Sequence, residues 1–366
     1  MANWSVSGVR LAGVASAVPE PTRSADDLAA LFGPEESAKI VDSVGVQTRH
    51  VAGDTTCTSD LCEAAAARIL GDLEWSPDSI DAVVVVTQTP DYVLPATACS
   101  LHQRLGLGPH CLAFDINQGC SGYVYGLAVV SRLLGAGTVK RALLLAGDTL
   151  TRLVSPVDRS AAPLFGDAGT ATALECDDNA PEMFFDLGTD GAGVEHLLTP
   201  AGGFRNQRTP QTTRRTEREN GNIRSDADLF MDGAEVFMFT LSAVPGLVKR
   251  TLKGAGWDRD EVDAVVLHQA NAFMLGHLRK RLKLTEEQCV IALSEYGNTA
   301  SASIPLAMSH SWSAESPMER RKLVLGGFGT GWSWAGAAIE SEGLTLPEVI
   351  VVPDEDDNSI TWSEAA

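Results

Sequence analysis

Two stretches of the chain copy each other, WSPDSIDAVVVVTQ (residues 75–88) and WDRDEVDAVVLHQ (residues 257–269), and their reading decides the fold. At a constant offset of 182, Trp75, Asp78, Asp81, Ala82, Val83 and Val84 meet Trp257, Asp260, Asp263, Ala264, Val265 and Val266. Upstream, Arg68 and Leu70 meet Arg250 and Leu252. A second locus repeats at nearly the same spacing: RALLLAG (141–147) lies on RKLVLGG (321–327). A period this long means two similar halves and not a solenoid.

The patterning around the repeat fits an α/β unit. Helical periodicity predicts helices at about 58–71, 97–105, 122–135, 235–254, 271–283 and 301–312. Strand-like apolar runs fall at 81–87, 111–117, 141–147, 170–175, 263–268, 288–293, 322–326 and 334–340. Alternation of the two predicts a mostly parallel sheet in each half. Unalternated runs such as AVVVV are those of a sheet covered on both faces. Stacked, the halves give an α/β/α/β/α body: residues 1–180 form one half, 181–342 the other, and 343–366 an acidic tail whose acidic run reads as a solvated end, with Ile350-Val351-Val352 as a run that can pack on the body.

The repeat also acts as a ruler. At offset 178, CLAFDINQGCSG (111–122) lies on CVIALSEYGNTA (289–300), so Cys111 meets Cys289, Gly119 meets Gly297 and Cys120 meets Asn298. In a body with pseudo-twofold symmetry these strand-to-helix turns face each other, and LHQAN (267–271) ends a strand beside them. Cys120, His268 and Asn298 therefore form one candidate cluster. A thiol of ordinary pKa, about 8.5, needs help to become a nucleophile. A helix N-terminus, an imidazole and an amide donor are the groups that supply it. Such a set suits acyl transfer through a thioester.

Each residue alone has a plainer reading. A cysteine in a glycine-rich turn is usually structural, and a histidine closing a strand usually satisfies a hydrogen bond. GFGTGWSWAG (327–336) is either a tight turn with packing aromatics or a set of exposed backbone N–H donors. FGDAGTATA (165–173) lacks the lysine and spacing of a phosphate loop and reads as a close-packed turn.

Bulk properties narrow the classes further. The 366 residues, 44% of them hydrophobic, can bury a large core. The net charge of −20 argues against nucleic-acid and anionic-membrane partners. No apolar run reaches the roughly 20 residues of a membrane span, and the start of the chain reads as a strand and turn, so a cytoplasmic location is expected. Seven cysteines without a CxxC pair predict free thiols and no metal site. Two basic islands stand against the acidic background, RNQRTPQTTRRTER (205–218) and RKRLK (279–283). Each is either a solvated face or a dock for an acidic partner.

Taken together, DINQGCSGYVYGL, DRSAAPLFGDAGTATAL, MDGAEVFMF, VVLHQANAFML, YGNTASASIPLAM and GGFGTGWSWAG make the chain resemble the β-ketoacyl-acyl carrier protein synthase III family of the thiolase superfamily, from about residue 7 to 342. The resemblance implies a thiolase-like fold, a homodimer and no cofactor. Cys120 would carry the acyl starter as a thioester. His268 and Asn298 would bind the malonyl thioester carbonyl during loss of carbon dioxide, and backbone N–H groups of Cys120, Gly329 and Thr330 would form the oxyanion hole. The family has glycine where Thr330 stands.

Leu94 would cross the dimer interface to end the acyl pocket, and a residue smaller than the usual phenylalanine implies room for more than an acetyl group. The tryptophan and arginine that hold coenzyme A in the family are replaced by Lys39 and Ser43, whereas Arg159 matches a nucleotide-contacting arginine. An arginine after HQAN is replaced by Phe273, leaving Arg279, Lys280 and Arg281 as the expected dock for an acyl carrier protein. Acyl-coenzyme A or acyl-carrier protein would then be the donor and malonyl-carrier protein the extender, in a specialised pathway. Rival readings are cysteine-dependent acyl transfer to an alcohol, amine or thiol on the same fold, a non-catalytic partner subunit, and a cysteine protease sharing the order Cys, His, Asn.

Overall fold

The computed structural model describes residues 2–354. Two sheets are built from β1 (Ala2–Val6), β2 (Val9–Pro19), β3 (Ala82–Val86), β4 (Leu112–Ile116), β5 (Arg141–Asp148), β6 (Ala168–Cys176), β7 (Met183–Thr189), β8 (Ala264–Leu267), β9 (Arg321–Gly329), β10 (Ser333–Ser341) and β11 (Ile350–Val352). The helices are α1 (Ala25–Phe32), α2 (Pro34–Val44), α3 (Thr58–Asp72), α4 (Thr97–Arg104), α5 (Gly122–Gly135), α6 (Gly233–Ala255), α7 (Ala272–Leu282), α8 (Leu293–Tyr296) and α9 (Ser303–Trp312).

The duplication is visible in the strand order. The first sheet runs β11-β2-β6-β5-β3-β4 and the second β1-β7-β10-β9-β8. The order β2-β6-β5-β3 thus recurs as β7-β10-β9-β8, with the same parallel and antiparallel steps. Every residue of β3 and β8 is buried, as their unbroken apolar runs require. Helices α3 and α4 cover the outer face of the first sheet, α5 and α9 lie between the sheets, and α6 with α7 against it covers the outer face of the second. These are five layers.

Glycine lets the central layer close. A Cβ at Gly122 would sit 2.5 Å from Val86 Cγ1, and one at Gly126 would sit 2.7 Å from Leu144 Cδ1. The small residues at the start of α5 are therefore explained first by its close approach to β3 and β5. Helix α6 is capped by Asp232, whose side chain accepts from the Ala234 and Glu235 N–H groups, and ends at Gly256 with φ 69°.

Some features differ from the sequence reading and others add to it. The sheets are mixed: in the first, three of the five pairs (β3–β4, β3–β5 and β2–β11) are parallel, as expected, but in the second only β8–β9 of four is. Strands β9 and β10 join through residues 330–332, and so short a turn can only reverse the chain. The apolar run at 288–293 is not a strand but a single bridge, Val265 to Cys289. Gln269 takes over the pairing there: its Nε2 donates to the Val290 carbonyl (3.2 Å) and its Oε1 accepts from Ala292 N–H (2.9 Å). Helices α1 and α2 were not read from the sequence, although Ser24 and Asp27 form a capping box at the start of α1. Strand β1 also crosses over to pair with β7 in the second sheet.

The described part of the tail, up to residue 354, is built into the fold, and Ile350-Val351-Val352 packs there. Leu344 and Leu346 are fully buried. Thr345 N–H donates to the Ala12 carbonyl (3.0 Å), and Val14 N–H donates to that of Thr345 (2.9 Å). Ile350–Val352 adds a parallel edge strand to β2. Two apolar leucines in a chain segment suffice to hold it despite its acidic end, because burial outweighs charge repulsion that solvent screens. The acidic run beyond residue 354 lies outside the described residues. Truncation after Glu342 is expected to cost about 3–6 kcal/mol for the two leucines alone, read by chemical denaturation. An unchanged midpoint would contradict this packing. Among the described residues no helix is long and apolar enough to cross a membrane, and all seven cysteines are free.

Candidate active site

The Cys120 turn connects β4 to α5. Gly119 allows it: a Cβ there would overlap Gln88 Oε1 at 2.2 Å. Cys120 itself is buried. Its thiol is pushed up to about 12, first by burial and then by the Asp148 carboxylate. Hydrogen bonds from the backbone N–H groups of Thr330 and Cys120, and from the Thr330 hydroxyl, oppose this only in part. The resting sulfur is therefore a protonated thiol, and desolvation outweighs the help that a helix N-terminus lends a thiolate.

The symmetry-related turn brings Asn298. Gly297 reaches φ 67° before it, and the Asn298 backbone is clamped, donating to the Leu164 carbonyl (2.9 Å) and accepting from Gly166 N–H (3.1 Å). Its side-chain Oδ1 accepts from Ala300 N–H (3.0 Å). That bond orients the amide and leaves the Nδ2 protons for a ligand.

His268 follows β8 directly, still tied to the sheet through its N–H to the Gly326 carbonyl (2.8 Å). Its Nδ1 is 2.7 Å from Ser303 Oγ, and the ring meets Phe328 edge-on at 5.5 Å. Burial lowers the ring to about 3, partly opposed by the Ala300 carbonyl, so it is neutral at working pH.

Cys120, His268 and Asn298 line one cavity of about 310 Å³, with Gly329 and a largely apolar wall that includes Leu197, Phe237 and Met274. At its rim Gly233, Ala234 and Phe273 are exposed. Gly329, at φ 155°, presses on the sulfur. A Cβ there would sit 2.7 Å from Cys120 Cβ and 3.0 Å from Sγ. Ser333 Oγ, which donates to the Thr330 carbonyl (2.7 Å), is also 2.7 Å from Ser121 Oγ, joining the donor turn to the residue after the cysteine.

Asp148, at the end of β5, was not singled out from the sequence. It accepts from Ser301 N–H (3.1 Å), Ser301 Oγ (2.6 Å) and Gln88 N–H (2.7 Å), stitching the two turns together. Burial raises its carboxyl to about 6. The available signal was an acid closing an otherwise apolar strand run.

The outlying residues stand elsewhere. Leu94 does not line the cavity; it is 78% exposed, beside the equally exposed Val93. Arg159 is on the surface, its N–H donating to Asn222 Oδ1 (3.1 Å) and its guanidinium 5.7 Å from the Phe32 ring. Arg279 is paired with Glu286, Lys280 is exposed, and Arg281 lines a second groove between the ends of α6 and α7. Lys39 lies within 4.0 Å of Glu36 on α2.

The likeness to known proteins covers this whole framework. Residues 114–191 match the family 3-oxoacyl-[acyl-carrier-protein (ACP)] synthase III, and residues 252–341 match its C-terminal region. A β-ketoacyl-[acyl-carrier-protein] synthase III of Rhodopirellula baltica is 36% identical, over 91% of this chain and 98% of its own. A putative 3-oxoacyl-[acyl-carrier-protein] synthase 3 of Campylobacter jejuni is 33% identical, over 94% and 98%. The crystal structure of a 3-oxoacyl-(acyl-carrier protein) synthase of Burkholderia xenovorans superposes with a TM-score of 0.90 at 43% identity, covering 96% of this chain and 99% of that one. Shared fold, shared length and matched family segments on both sides of the cavity give one conclusion: the chain belongs to the β-ketoacyl-[acyl-carrier-protein] synthase III family of acyltransferases, with the thiolase fold.

Proposed function

We propose that this chain performs its family's decarboxylative condensation with Cys120 as nucleophile and His268 and Asn298 as the decarboxylation pair. The observation that carries the assignment is that all three line one cavity. In the first half-reaction the Cys120 sulfur attacks the starter thioester. The carbonyl oxygen takes up negative charge beside the Cys120 and Thr330 N–H groups. Collapse expels the carrier thiolate, which takes the proton lost by the thiol, and leaves acyl-Cys120.

In the second half-reaction malonyl thioester occupies the cavity. His268 and the Asn298 amide hydrogen-bond its carbonyl oxygen, and loss of carbon dioxide leaves an enolate stabilised there. The enolate carbon attacks acyl-Cys120, the carbon–sulfur bond breaks, and the sulfur is reprotonated as the 3-oxoacyl product leaves. A neutral imidazole suits this role, since it donates without competing for the proton.

The starter arrives on a carrier protein in this reading. Support comes from Lys39 and Ser43 standing on the surface where coenzyme A binders have an aromatic ring and an arginine. The chain works as a cytoplasmic homodimer, with Leu94 entering the partner's pocket. What supports the dimer is the exposed Tyr92, Val93 and Leu94 near the unpaired edge of β4. Acyl transfer to an alcohol, amine or thiol without decarboxylation is not favoured beside the condensing relatives.

The test is intact-protein mass after incubation with acyl-coenzyme A and acyl-carrier-protein donors of graded chain length. Mass gain on the wild type, absent from Cys120→Ala and discharged by malonyl-carrier protein, is expected. Acetyl alone being accepted would contradict the role of Leu94, and transfer without release of carbon dioxide would contradict condensation.

A further inference from the structure

We propose that the arginine-bearing excursion over residues 199–229 is the docking surface for the acidic carrier protein that brings thioesters to Cys120; this rests on the condensing reading above. The excursion leaves and returns at a two-rung antiparallel ladder, Leu197 opposite Met231 and Leu198 opposite Phe230. Leu197 and Met231 both line the Cys120 cavity, and the exposed rim residues Gly233 and Ala234 follow at once. The excursion therefore grows from the mouth of the cavity, whereas Arg281 faces a different groove.

Its backbone is held by its own hydrogen bonds. Gly202 N–H donates to the Asn206 carbonyl (2.8 Å), Thr213 Oγ1 to that of Thr209 (2.8 Å), Ala227 N–H to that of Thr212 (3.0 Å) and Ala201 N–H to that of Asp226 (2.7 Å). Three of its arginines are paired within the loop, Arg215 on Asp228 (3.1 Å), Arg218 on Asp226 (2.9 Å) and Arg224 on Glu219 (3.4 Å). Arg205, Arg208 and Arg214 are exposed and have no ion pair among the described residues. Phe204 stands next to them, 86% exposed.

Unpaired arginines around an exposed aromatic ring have the composition of an interface anchor. An ordered scaffold lowers the entropic cost of binding. The charge balance names the partner. A chain of net charge −20 repels an acidic protein at a distance, so a local positive surface at the mouth is what orients the encounter.

The experiment uses the full chain as wild type, R205E/R208E/R214E and Phe204→Ala. Binding of acyl-carrier protein is measured directly at several salt concentrations. Acylation of Cys120 is followed in parallel with carrier-linked, coenzyme A-linked and small N-acetylcysteamine thioesters. The triple variant is expected to weaken carrier binding at low salt by about tenfold or more, to flatten its salt dependence, and to leave acylation by the small thioester unchanged. Phe204→Ala should weaken carrier binding with the salt dependence intact. An equal loss with all three donors would mean a structural role and overturn the proposal. A loss as large with coenzyme A would assign the arginines to nucleotide phosphates and also overturn it. So would unchanged carrier binding, with Lys280→Glu and Arg281→Glu carrying the salt dependence. A wild type that binds carrier but does not condense would sink the condensing reading, leaving the surface to be judged by the binding arm.

Discussion

Replacing Cys120 by alanine is expected to lower 3-oxoacyl formation by about 10⁴- to 10⁶-fold, the scale of losing the nucleophile of a covalent mechanism. The fold should survive. The side chain is small, its thiol is uncharged at rest because burial pushes it up to about 12, and no ion pair is broken. Malonyl decarboxylation should persist, because His268 and Asn298 are anchored through Ser303 and Ala300 and not through the sulfur. The check is a paired assay of carbon dioxide release and 3-oxoacyl product. Loss of product with retained decarboxylation is expected; retention of product would remove Cys120 from the mechanism, and loss of both would place the sulfur in the decarboxylation step as well.

Replacing His268 by alanine is expected to give the complementary result. Removing a donor to a developing oxyanion costs on the order of 10²- to 10³-fold, here in decarboxylation, while acyl loading of Cys120 changes much less. Loading and decarboxylation reduced by the same factor would reassign His268 to activating the thiol. Its protonation offers a second check. The folded ring titrates at about 3 against 6.5 for a free imidazole. The unfolded chain therefore takes up the proton first as pH falls. The stability linked to this group is fully present above pH 6.5 and is lost as pH falls from there towards 3. Wild type should show this acid-side loss, and His268→Gln should lack its contribution. The decarboxylation rate should show no titration near pH 6.5. A titration there would mean a solvated ring.

The sequence by itself determined the duplicated α/β architecture, because the repeat lies on buried strands whose apolar runs tolerate few alternatives. Trp75 to Val84 and Trp257 to Val266 lead into strands that hold the same place in two sheets. It also brought together Cys120, His268 and Asn298, since residues at matched turns of two similar halves meet at their shared axis. The strand at 288–293 was misread because an apolar run does not reveal that Gln269 will occupy its hydrogen bonds. The mixed strand directions were hidden for a similar reason, since a glycine-rich turn does not announce a hairpin.

Only the tertiary structure decided the state of the groups. Whether a helix N-terminus or burial wins at Cys120 depends on how completely water is removed, and its enclosure beside Asp148 is made by segments far apart in the chain. The same holds for the residues after 342, where composition registers the acids but not the buried Leu344 and Leu346. It holds too for the two basic islands, alike in sequence. One begins with an arginine already paired and continues beside a separate groove, and the other lies in an excursion whose flanking residues Leu197 and Met231 line the cavity. Local sequence carries periodicity and therefore fold; solvation and charge pairing are set by neighbours that only the folded chain supplies.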